Sequence, residues 1–450
     1  MTKHQNIYTN IVVLGGGESG TGAALLAARK GYKVFVSEYA QIKPEFKKIL
    51  SENGIAFEEG GHSAEIVSKA GLVIKSPGIS DRAPILQEVA GADIISEIEF
   101  ASWFTKAKII GITGSNGKTT TTLLTGHIMK KAGLDVCVAG NVGTSFAANL
   151  AHSDHDYFVL ELSSFQLDGI VHFRPDIAII TNITPDHLDR YDYSFEAYAK
   201  SKFRICMNQT ADDALVYCAD DAATMQMLGS LNTHPQRIAF SSSPTTASTG
   251  GYFSDNQLFF NINPNPFTMT IEELALQGRH NMYNTLAAGL TAKIIGIRNE
   301  TIKQSMSDYQ NVAHRLEYVA NVHGVSFYND SKATNVNSTW YALEYFNRPI
   351  IWIAGGVDKG NDYSKLVPLV RQKVKAIVCL GTDNQKLHEV FEGKVETIVN
   401  TDSAEQAVGV AALLAAKNDI VLLSPACASF DLFENYEDRG NQFKMAVKSL

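Results

Sequence analysis

The stretch that decides the fold is IIGITGSNGKTTTT, residues 109–122. It begins as an apolar run typical of a buried strand, passes through glycines and ends in Gly117, Lys118 and Thr119. Backbone N–H groups of such a turn and of a helix N-terminus can face phosphate oxygens, a lysine offsets phosphate charge, and a threonine hydroxyl can ligate Mg²⁺. The stretch therefore predicts a strand, a phosphate-binding loop and a helix, and with them an ATP or GTP site.

The glycine spacing of this loop is unusual. The strict pattern G-x-x-x-x-G-K-[ST] would place glycine at Ile112, whereas the chain has Gly111 and Gly114 on either side. A purely structural turn is the alternative. We favour a ligand site because a lysine inside a glycine turn at a helix N-terminus has little purpose without phosphate.

Length and composition narrow the class of protein. At 450 residues the chain is too long for one ordinary core, so two to four domains are expected. The 47 acidic and 39 basic residues give a net charge of -8, which argues against a nucleic-acid or membrane-surface binder. Five cysteines without C-x-x-C pairs suit reduced thiols. With its polar start, MTKHQNIYTN, and no apolar run of membrane-spanning length, the sequence predicts a soluble cytoplasmic protein.

The first of three α/β units covers residues 1–97. It opens with an apolar strand at 11–14, the turn GGGESG at 15–20 and an Ala/Leu-rich helix, which is a Rossmann-like start. Glu38 follows the glycines at about 20 positions, where an NAD enzyme has its ribose-binding carboxylate. Taken alone, this unit indicates dinucleotide binding, although such a turn is about as often only structural.

The central unit, residues 98–311, contains the phosphate loop. Apolar runs at 157–160 and 177–180, together with the strand before the loop, predict a buried parallel sheet. Residues 241–266 are rich in Ser, Thr and Gly with a hairpin-like centre at Asp255 and Asn256, and they predict an antiparallel β insertion near the surface.

The last unit, residues 312–450, again pairs strands with polar loops. Strands are predicted at 325–328, 350–353 and 420–423. Because ligands of open α/β sheets bind beyond the carboxyl ends of the strands, we expect the loops after these strands to line a ligand site. The predicted fold class is thus α/β with three domains: an N-terminal Rossmann-like domain, a central P-loop domain with a parallel sheet and a β insertion, and a C-terminal Rossmann-like domain.

Several polar residues stand out in the central unit. Glu161 ends a predicted strand and could share Mg²⁺ with Thr119, although a helix-capping or solvated acid is the alternative. His187 is a lone histidine and could equally be structural. Lys202 shares one face of a predicted helix over 194–207 with apolar residues, where a lysine is costly unless it is paired or modified. A side chain that snorkels to solvent is the other interpretation of Lys202, and Lys200 points roughly the opposite way.

In the last unit, Arg315 could reach a nucleotide or form a surface Arg–Glu pair. Cations and hydroxyls suited to a small dicarboxylate occur in the strand-end loops. These residues are Lys332, Thr334, Lys359 and Ser429. Any one of them could be a turn residue, and only their shared placement favours a ligand site.

Taken together, these segments resemble the Mur ligase family. GITGSNGKTTTT is the G-x-x-G-x-x-G-K-T form of the phosphate loop typical of that family, which accounts for the displaced glycine. Other motifs follow in the family's order: LELSSFQL, TNITPDHLDRY, SKFRI, GRHNMYN, HRLE, NDSKATN, GGVDKG and LLSPACASFDLFENYEDRG. The resemblance covers essentially the whole chain, and the last four motifs are specific to the family member that uses D-glutamate.

The resemblance implies an ATP-dependent ligase of cytoplasmic peptidoglycan precursor synthesis. It implies that D-glutamate is added to UDP-N-acetylmuramoyl-L-alanine through an acyl phosphate, with two Mg²⁺ ions and a carbamylated Lys202. It also implies a monomer that acts on small molecules, with no nucleic-acid or membrane partner.

The resemblance also implies a role for each matching residue. Catalysis is assigned to Lys118, His187 and Lys202. ATP contacts are assigned to Gly114, Ser115, Asn116, Gly117, Lys118, Thr119, Thr120, Asn281, Asn284, Arg315 and Asp330. Mg²⁺ is assigned to Thr119, Glu161, His187 and Lys202, and Asn141 helps to complete the two metal sites. The UDP part is assigned to Gly17, Glu18, Ser19, Gly78 and Asn141, and D-glutamate to Lys332, Thr334, Lys359, Ser429, Phe430 and Tyr436.

Three other functions compete with this hypothesis. An NAD-dependent oxidoreductase would use the glycine turn at 15–20 as its cofactor site. A P-loop ATPase switch would recruit a partner in its ATP state. A folylpolyglutamate synthase would share the central loop, but the N-terminal unit and the NDSKATN and SPACAS motifs argue against it.

Overall fold

The computed structural model describes residue 8 and residues 10–89, 91–244, 249–309 and 313–450. The first seven residues of the polar start and the predicted boundary between 311 and 312 lie outside the described residues. The described chain forms three β-sheets in two compact units. One unit contains Met1–Gln277 and Asn281–Tyr309 with the first two sheets, and the other contains Gly278–His280 and Gln310–Leu450 with the third sheet.

The first sheet consists of five parallel strands. They are β1 (Asn10–Leu14), β2 (Lys33–Ser37), β3 (Ala56–Glu58), β4 (Leu72–Lys75) and β5 (Asp93–Ser96), and the helices are α1 (Glu18–Arg29), α2 (Pro44–Glu52), α3 (Ala64–Val67) and α4 (Glu97–Ser102). The spatial order β3-β2-β1-β4-β5 is Rossmann-like, as predicted. A Cβ atom at Gly20 would lie 1.9 Å from the Gly15 carbonyl oxygen, so the turn between β1 and α1 requires glycine.

The second sheet has nine strands and carries the phosphate loop. The strands are β6 (Lys108–Thr113), β7 (Val136–Gly140), β8 (Tyr157–Glu161), β9 (Ile177–Ile180), β10 (Ala214–Cys218), β11 (Gln236–Ser241), β12 (Gly250–Ser254), β13 (Gln257–Asn261) and β14 (Phe267–Thr270). The helices are α5 (Lys118–Lys131), α6 (Phe146–His152), α7 (Ser164–Asp168), α8 (Phe195–Phe203), α9 (Ala222–Leu228), α10 (Arg279–Ile295) and α11 (Asn299–Ser307). In the order β14-β13-β12-β11-β10-β9-β6-β8-β7, β6 lies between two parallel neighbours and is buried, as its apolar run predicts.

The predicted β insertion is confirmed in its topology. Asp255 and Asn256 form the turn between β12 and β13 with φ of 48° and 63°, which is typical of a tight hairpin. The insertion extends the central sheet, because β12 pairs in parallel with β11. Leu258 and Phe260 are fully buried, so the predicted surface location holds only for the outward face of the strands. The alternation of strand side chains explains this difference.

The third sheet has six strands, and all but one neighbouring pair is parallel. The strands are β15 (Glu317–Val322), β16 (Val325–Asn329), β17 (Ile350–Ala354), β18 (Val374–Leu380), β19 (Thr397–Thr401) and β20 (Ile420–Leu423), and the helices are α12 (Val336–Tyr345), α13 (Val367–Lys373), α14 (Gln385–Phe391), α15 (Ala404–Leu414) and α16 (Tyr436–Lys448). In the order β15-β16-β20-β17-β18-β19, β20 lies between β16 and β17. The loops that follow these three strands therefore leave the sheet side by side.

Helix hydropathy and the state of the cysteines complete the description of the fold. Among the residues that the structure describes, no helix combines the length and the hydropathy that crossing a membrane requires. All five cysteines are free, and four of them are buried. With its three sheets, the α/β fold class predicted from the sequence is confirmed.

Two helical glycines of the third sheet's unit give a matched test of packing. A Cβ atom at Gly440 in α16 would lie 2.1 Å from Nδ1 of the buried His314, whereas one at Gly409 in α15 would meet no atom within 4 Å. We expect Gly440→Ala to lower the free energy of unfolding by about 1–3 kcal/mol through overpacking. Gly409→Ala should raise it by about 0.5–1 kcal/mol, because alanine favours helix. Urea unfolding of both variants measures the difference, and equal effects would contradict the packing account.

Candidate functional site

The phosphate loop joins β6 to α5, and its glycines are sterically required. Gly114 has a φ of 145° and Gly117 a φ of 84°, both in the region that favours glycine. A Cβ atom at Gly114 would lie 1.9 Å from the Thr181 hydroxyl oxygen, and one at Gly117 would lie 2.3 Å from Asn284 Oδ1. The predicted strand, loop and helix are therefore confirmed, with side chains packed tightly against both glycines.

The loop after β9 forms hydrogen bonds with one side of the phosphate loop. Ser115 donates its hydroxyl to the Thr184 carbonyl at 2.8 Å, and its backbone N–H donates to the Asn182 carbonyl at 2.8 Å. Asn116 N–H donates to Asn182 Oδ1 at 3.0 Å, and the Thr181 hydroxyl donates to the Asn116 carbonyl at 2.6 Å. These bonds fix the loop conformation before any ligand arrives.

Two lysine ammonium groups meet at one oxygen of this loop. Lys118 Nζ and Lys202 Nζ each donate to the Gly114 carbonyl at 2.8 Å, and Lys118 also donates to the Ser115 carbonyl at 2.9 Å. Lys202 is buried, with its ammonium 4.7 Å from the centre of the Tyr198 ring. The predicted inward face of Lys202 is confirmed, and the snorkelling interpretation is wrong.

The contrast with Lys200 shows that the placement of Lys202 is specific. Lys200 lies two residues earlier on α8 and is exposed, with its ammonium 2.7 Å from Glu196. The helix ends at Phe203 and continues as a short 3-10 turn, Arg204–Cys206, close to the predicted range of 194–207.

Burial holds the pKa of Lys202 well below its ordinary value. The neighbouring charge of Lys118 lowers this pKa further, while Asp186, Asp168 and Glu161 act in the opposite direction. Desolvation and a like charge together favour the neutral amine. A neutral amine is nucleophilic, which a protonated lysine is not.

The other predicted metal residues lie around the same loop. Thr119 is buried in the first turn of α5, and Glu161 is buried at the end of β8. Glu161 Oε1 accepts a hydrogen bond from Asn141 Nδ2 at 2.8 Å, and Asn141 N–H donates to the Glu161 carbonyl at 2.9 Å. His187 has a left-handed backbone with a φ of 51°, and its ring packs edge-on against Phe165.

Over the described ranges, no three or more His, Cys, Asp or Glu side chains form a group that could hold a metal ion. A buried carboxylate and a hydroxyl nevertheless suit Mg²⁺, which typically takes one or two protein ligands and completes its shell with phosphate oxygens and water. The residues present therefore fit a metal that arrives with a nucleotide.

Asn281 and Asn284 connect α10 to the helix that follows the phosphate loop. Both are buried, and Asn284 Nδ2 donates to Asn281 Oδ1 at 3.2 Å. Asn284 Oδ1 accepts from the Thr121 hydroxyl at 3.3 Å, beside the buried Thr120. Asn281 and Asn284 of the GRHNMYN motif thus lie directly behind the loop.

The glycine turn of the first sheet is fastened by two carboxylates. Glu38 accepts the Gly16 N–H at 2.6 Å and the Ala40 N–H at 2.9 Å, so this predicted ribose-side acid is engaged by the turn itself. Glu18 accepts the Ser145 N–H at 3.1 Å, close in sequence to Asn141 of the central sheet. A Cβ atom at Gly17 would meet nothing within 4 Å, and Ser19 is half-buried.

The loop that carries Gly78 also contacts the central sheet. Arg190 donates to the Gly78 carbonyl at 3.2 Å and to the Ile79 carbonyl at 3.3 Å, and its guanidinium lies over the Phe165 ring. Behind the glycine turn, burial raises the pKa of the Glu97 carboxyl to about 7, assisted by the charge of Glu18 and opposed by a hydrogen bond from the Ala147 N–H.

Arg439 on α16 is a buried cation that no sequence pattern singles out. It is fully buried in α16 and donates to the Ser331 hydroxyl at 3.0 Å, the Ser331 carbonyl at 2.8 Å, the Cys427 carbonyl at 3.2 Å and the Gly355 carbonyl at 3.5 Å. One guanidinium thus ties together the loops after β16, β17 and β20. Burial lowers the pKa of Arg439 to about 10. Within the charged run ENYEDRG, nothing local distinguishes it from a surface arginine.

The predicted dicarboxylate residues occupy these same loops. Lys332 lies over the Tyr436 ring, 4.9 Å from its centre, and accepts the Thr334 N–H on its carbonyl oxygen at 2.9 Å. Ser429 is buried after β20. Lys359 is exposed after β17, and the Phe430 ring is 70% exposed.

Asp330 directly follows β16 and precedes Lys332 by two residues. Burial raises the pKa of the Asp330 carboxyl to about 7, while Ser424, Arg315 and Arg439 act in the opposite direction. Its Oδ2 accepts the Ser424 hydroxyl at 2.9 Å, and its Oδ1 accepts the Leu316 N–H at 3.2 Å. Asp330 therefore joins the HRLE segment to the end of the sheet.

A mostly parallel sheet with a glycine-rich phosphate loop, preceded by a Rossmann-like sheet, defines a class of nucleotide-binding α/β proteins. Three family models match the chain: the MurD N-terminal domain over residues 10–85, the Mur ligase middle domain over 112–292 and the glutamate ligase domain of Mur ligases over 314–427. The chain belongs to the Mur ligase family.

Curated relatives match over nearly the full length. UDP-N-acetylmuramoylalanine--D-glutamate ligase of Christiangramia forsetii is 52% identical, covering 98% of this chain and 99% of its own. The enzymes of that name from Porphyromonas gingivalis and Bacteroides fragilis are 50% and 51% identical with the same coverage.

Solved structures confirm the fold. A pseudomurein peptide ligase type C from Methanothermus fervidus has a TM-score of 0.63 at 18% identity, covering 98% of this chain and 99% of its own. UDP-N-acetylmuramate-alanine ligase from Thermotoga maritima has a TM-score of 0.63 at 19% identity, with the same coverage.

The buried arginine generates a test of loop order. We expect Arg439→Met to speed amide hydrogen exchange in residues 331–334, 355–360 and 426–430, because the three loops lose their common donor. Lys448→Met on the same helix removes an exposed cation and serves as the control. Unchanged exchange in all three loops of Arg439→Met would contradict the assignment.

Proposed function

We propose that this chain is an ATP-dependent ligase that adds D-glutamate to UDP-N-acetylmuramoyl-L-alanine, in cytoplasmic peptidoglycan precursor synthesis. The relatives that match over nearly the whole chain carry the name of this activity, at 44% to 52% identity. The observation that carries the proposal in the structure is the pair of lysine amino groups that donate to the Gly114 carbonyl. Both lie at a loop that requires glycine at positions 114 and 117.

When both lysines are protonated, two cations at one carbonyl oxygen repel each other, and the carbonyl dipole offsets only part of that repulsion. An anion bound at the loop would relieve it, because Lys118 could then turn from the loop carbonyls toward the ligand. Backbone N–H groups at the start of α5 add positive potential at the same place. These features support binding of the ATP phosphates by residues 114–120, with Asn281, Asn284, Arg315 and Asp330 as further proposed contacts.

The proposed reaction has two steps. The γ-phosphate of ATP passes to the carboxylate of the substrate's L-alanine, so that one P–O bond breaks, another forms and ADP leaves. The neutral amine of D-glutamate then attacks the acyl phosphate, a C–N bond forms, the nitrogen releases one proton, and phosphate leaves with the C–O bond electrons. Lys118 would stabilise the charge on the transferred phosphoryl group.

Mg²⁺, when bound, would offset phosphate charge, and we assign its protein ligands to Thr119, Glu161 and His187. The hydrogen bond from Asn141 orients the Glu161 carboxylate, which supports this assignment. Two ions remain part of the proposal.

We further propose that Lys202 is carbamylated. Its burial and the Lys118 charge favour the neutral amine, which can attack CO₂ to form a carbamate with release of one proton. The product is an anion beside Lys118, so modification creates an attractive contact between opposite charges. A cation with a costly position thus becomes a carboxylate-like group near the proposed metal.

The remaining proposed contacts concern the UDP part of the substrate and D-glutamate. The UDP part of the substrate is assigned to Gly17, Glu18, Ser19, Gly78 and Asn141. Glu18 contacts Ser145, close in sequence to Asn141, and Arg190 contacts the loop that carries Gly78. D-glutamate is assigned to Lys332, Thr334, Lys359, Ser429, Phe430 and Tyr436, where cations and hydroxyls surround strand ends. Domain boundaries at 97/98 and 311/312 and a monomeric state complete the proposal.

Phosphate release tests the function. Purified protein with ATP, Mg²⁺ and UDP-N-acetylmuramoyl-L-alanine should release phosphate when D-glutamate is added, and not with other amino acids or NAD. Lys118→Ala should abolish this release, because the phosphoryl charge loses its main partner. Stimulation by another amino acid, or full activity of the Lys118 variant, would overturn the assignment.

Lys202 has a matched control on its own helix. Lys202→Ala should reduce amino-acid-dependent phosphate release severely, with partial rescue by added short carboxylates, whereas Lys200→Ala should keep the parental rate because Lys200 is exposed. Carbon-13 NMR of protein in labelled bicarbonate should show one carbamate signal that Lys202→Ala removes. Parental activity without rescue would exclude Lys202 from the mechanism.

A further inference from the structure

A cavity of about 620 Å³ lies in the second compact unit, away from the loops described so far. Its walls are three segments at the amino ends of adjacent parallel strands: residues 347–349 before β17, residues 371–375 at the start of β18 and residues 393–396 before β19. The proposed amino-acid loops follow the carboxyl ends of β16, β17 and β20, so the cavity occupies the opposite edge of the sheet. Its volume is typical of small-molecule pockets, which span about 300–1,000 Å³.

The lining of the cavity is strongly basic on a chain whose net charge is -8. Five of its side chains are cationic and one is acidic. They are Arg348, Arg371, Lys373, Lys375, Lys394 and Glu396. Concentrating like charges in one concave place costs stability and raises the local concentration of anions.

The three lysines are held in position by the surrounding fold. Lys373 Nζ donates to the Glu344 carbonyl at 2.7 Å and to the Leu343 carbonyl at 3.3 Å, and Lys394 Nζ donates to the Val390 carbonyl. Carbonyl acceptors orient an ammonium group without cancelling its charge. Lys375 alone among these lysines has a carboxylate partner, Asp419, at 2.7 Å within the described chain.

The two arginines differ from the lysines. Arg348 and Arg371 are exposed at the cavity rim, and across the described residues neither guanidinium forms a hydrogen bond or an ion pair. A guanidinium offers a planar fork of donors that matches phosphate oxygens. Arginines placed for the stability of the fold would be expected to have partners in the chain itself.

The charge balance defines the class of ligand. Glu396 in the lining, Asp419 beside Lys375 and Glu344, whose charge acts on Lys373, offset three of the five cations, so a surplus of two positive charges surrounds the cavity. We propose that this cavity binds a small molecule that carries two or more phosphate groups, with Arg348 and Arg371 as its principal contacts. The site is independent of the phosphate loop and of the proposed ligation.

Binding of inorganic pyrophosphate tests this site directly. The full-length Lys118→Ala protein is the parent for all measurements, because the phosphate loop could also take the probe. Isothermal titration should give a saturable site, and Arg348→Gln/Arg371→Gln in this parent should weaken it at least ten-fold. The control is Lys365→Gln/Lys448→Gln, which removes the same charge from exposed lysines of the same unit that do not line the cavity.

Each measured outcome either supports the polyphosphate site or contradicts it. An equal loss in both double variants would mean unspecific attraction and would overturn the proposal, as would the absence of binding to the parent. Sulfate at matched ionic strength should bind at least ten-fold more weakly than pyrophosphate, and equal binding would contradict a polyphosphate site. Without ligand, the arginine double variant should melt at or above the parental temperature, because like charges have been removed. A lower melting temperature would assign the arginines to the fold instead.

Discussion

The shared carbonyl oxygen of Gly114 is the point on which the central site depends. It accepts hydrogen bonds from Lys118, which belongs to the loop itself, and from Lys202, which comes from a helix more than eighty residues later in the chain. The contact requires that Gly114 adopt a φ of 145° and that Lys202 be buried. When both lysines are protonated, their ammonium groups repel each other at this oxygen, and phosphate binding, loss of the Lys202 proton or carbamylation would each reduce that repulsion.

The third sheet uses one cation in a similar structural role. Arg439 is fully buried and donates hydrogen bonds to carbonyl oxygens in three strand-end loops, so it fixes the relative positions of these loops. A buried guanidinium that serves only neutral acceptors is costly, and its lowered pKa reflects that cost. At both sheets, a buried cationic side chain holds the polar loops in place through hydrogen bonds. The strands beneath these loops pack through apolar side chains.

Much of this arrangement could be predicted from local patterns. The apolar runs before Gly15 and Gly111 gave their strands, the Asp255-Asn256 pair gave the hairpin turn, and the helical spacing around Lys202 gave its inward face. Such signals are local because they depend on side-chain alternation, turn conformations and helix periodicity. For the insertion at 241–266, the sequence predicts the hairpin but not the pairing of β12 with β11, because strand pairing depends on partners distant in sequence.

The sequence by itself determined the strand-loop-helix units, the phosphate loop and the likeness to Mur ligases, since these depend on residues adjacent in the chain. The tertiary structure alone decided that Lys202 meets Lys118 at one oxygen, that Glu38 closes on the glycine turn and that Arg439 joins three loops. It alone brought Arg348, Arg371 and Lys394 to one cavity. Long-range packing of a parallel sheet sets these contacts, and no local pattern encodes which loops a sheet will place side by side.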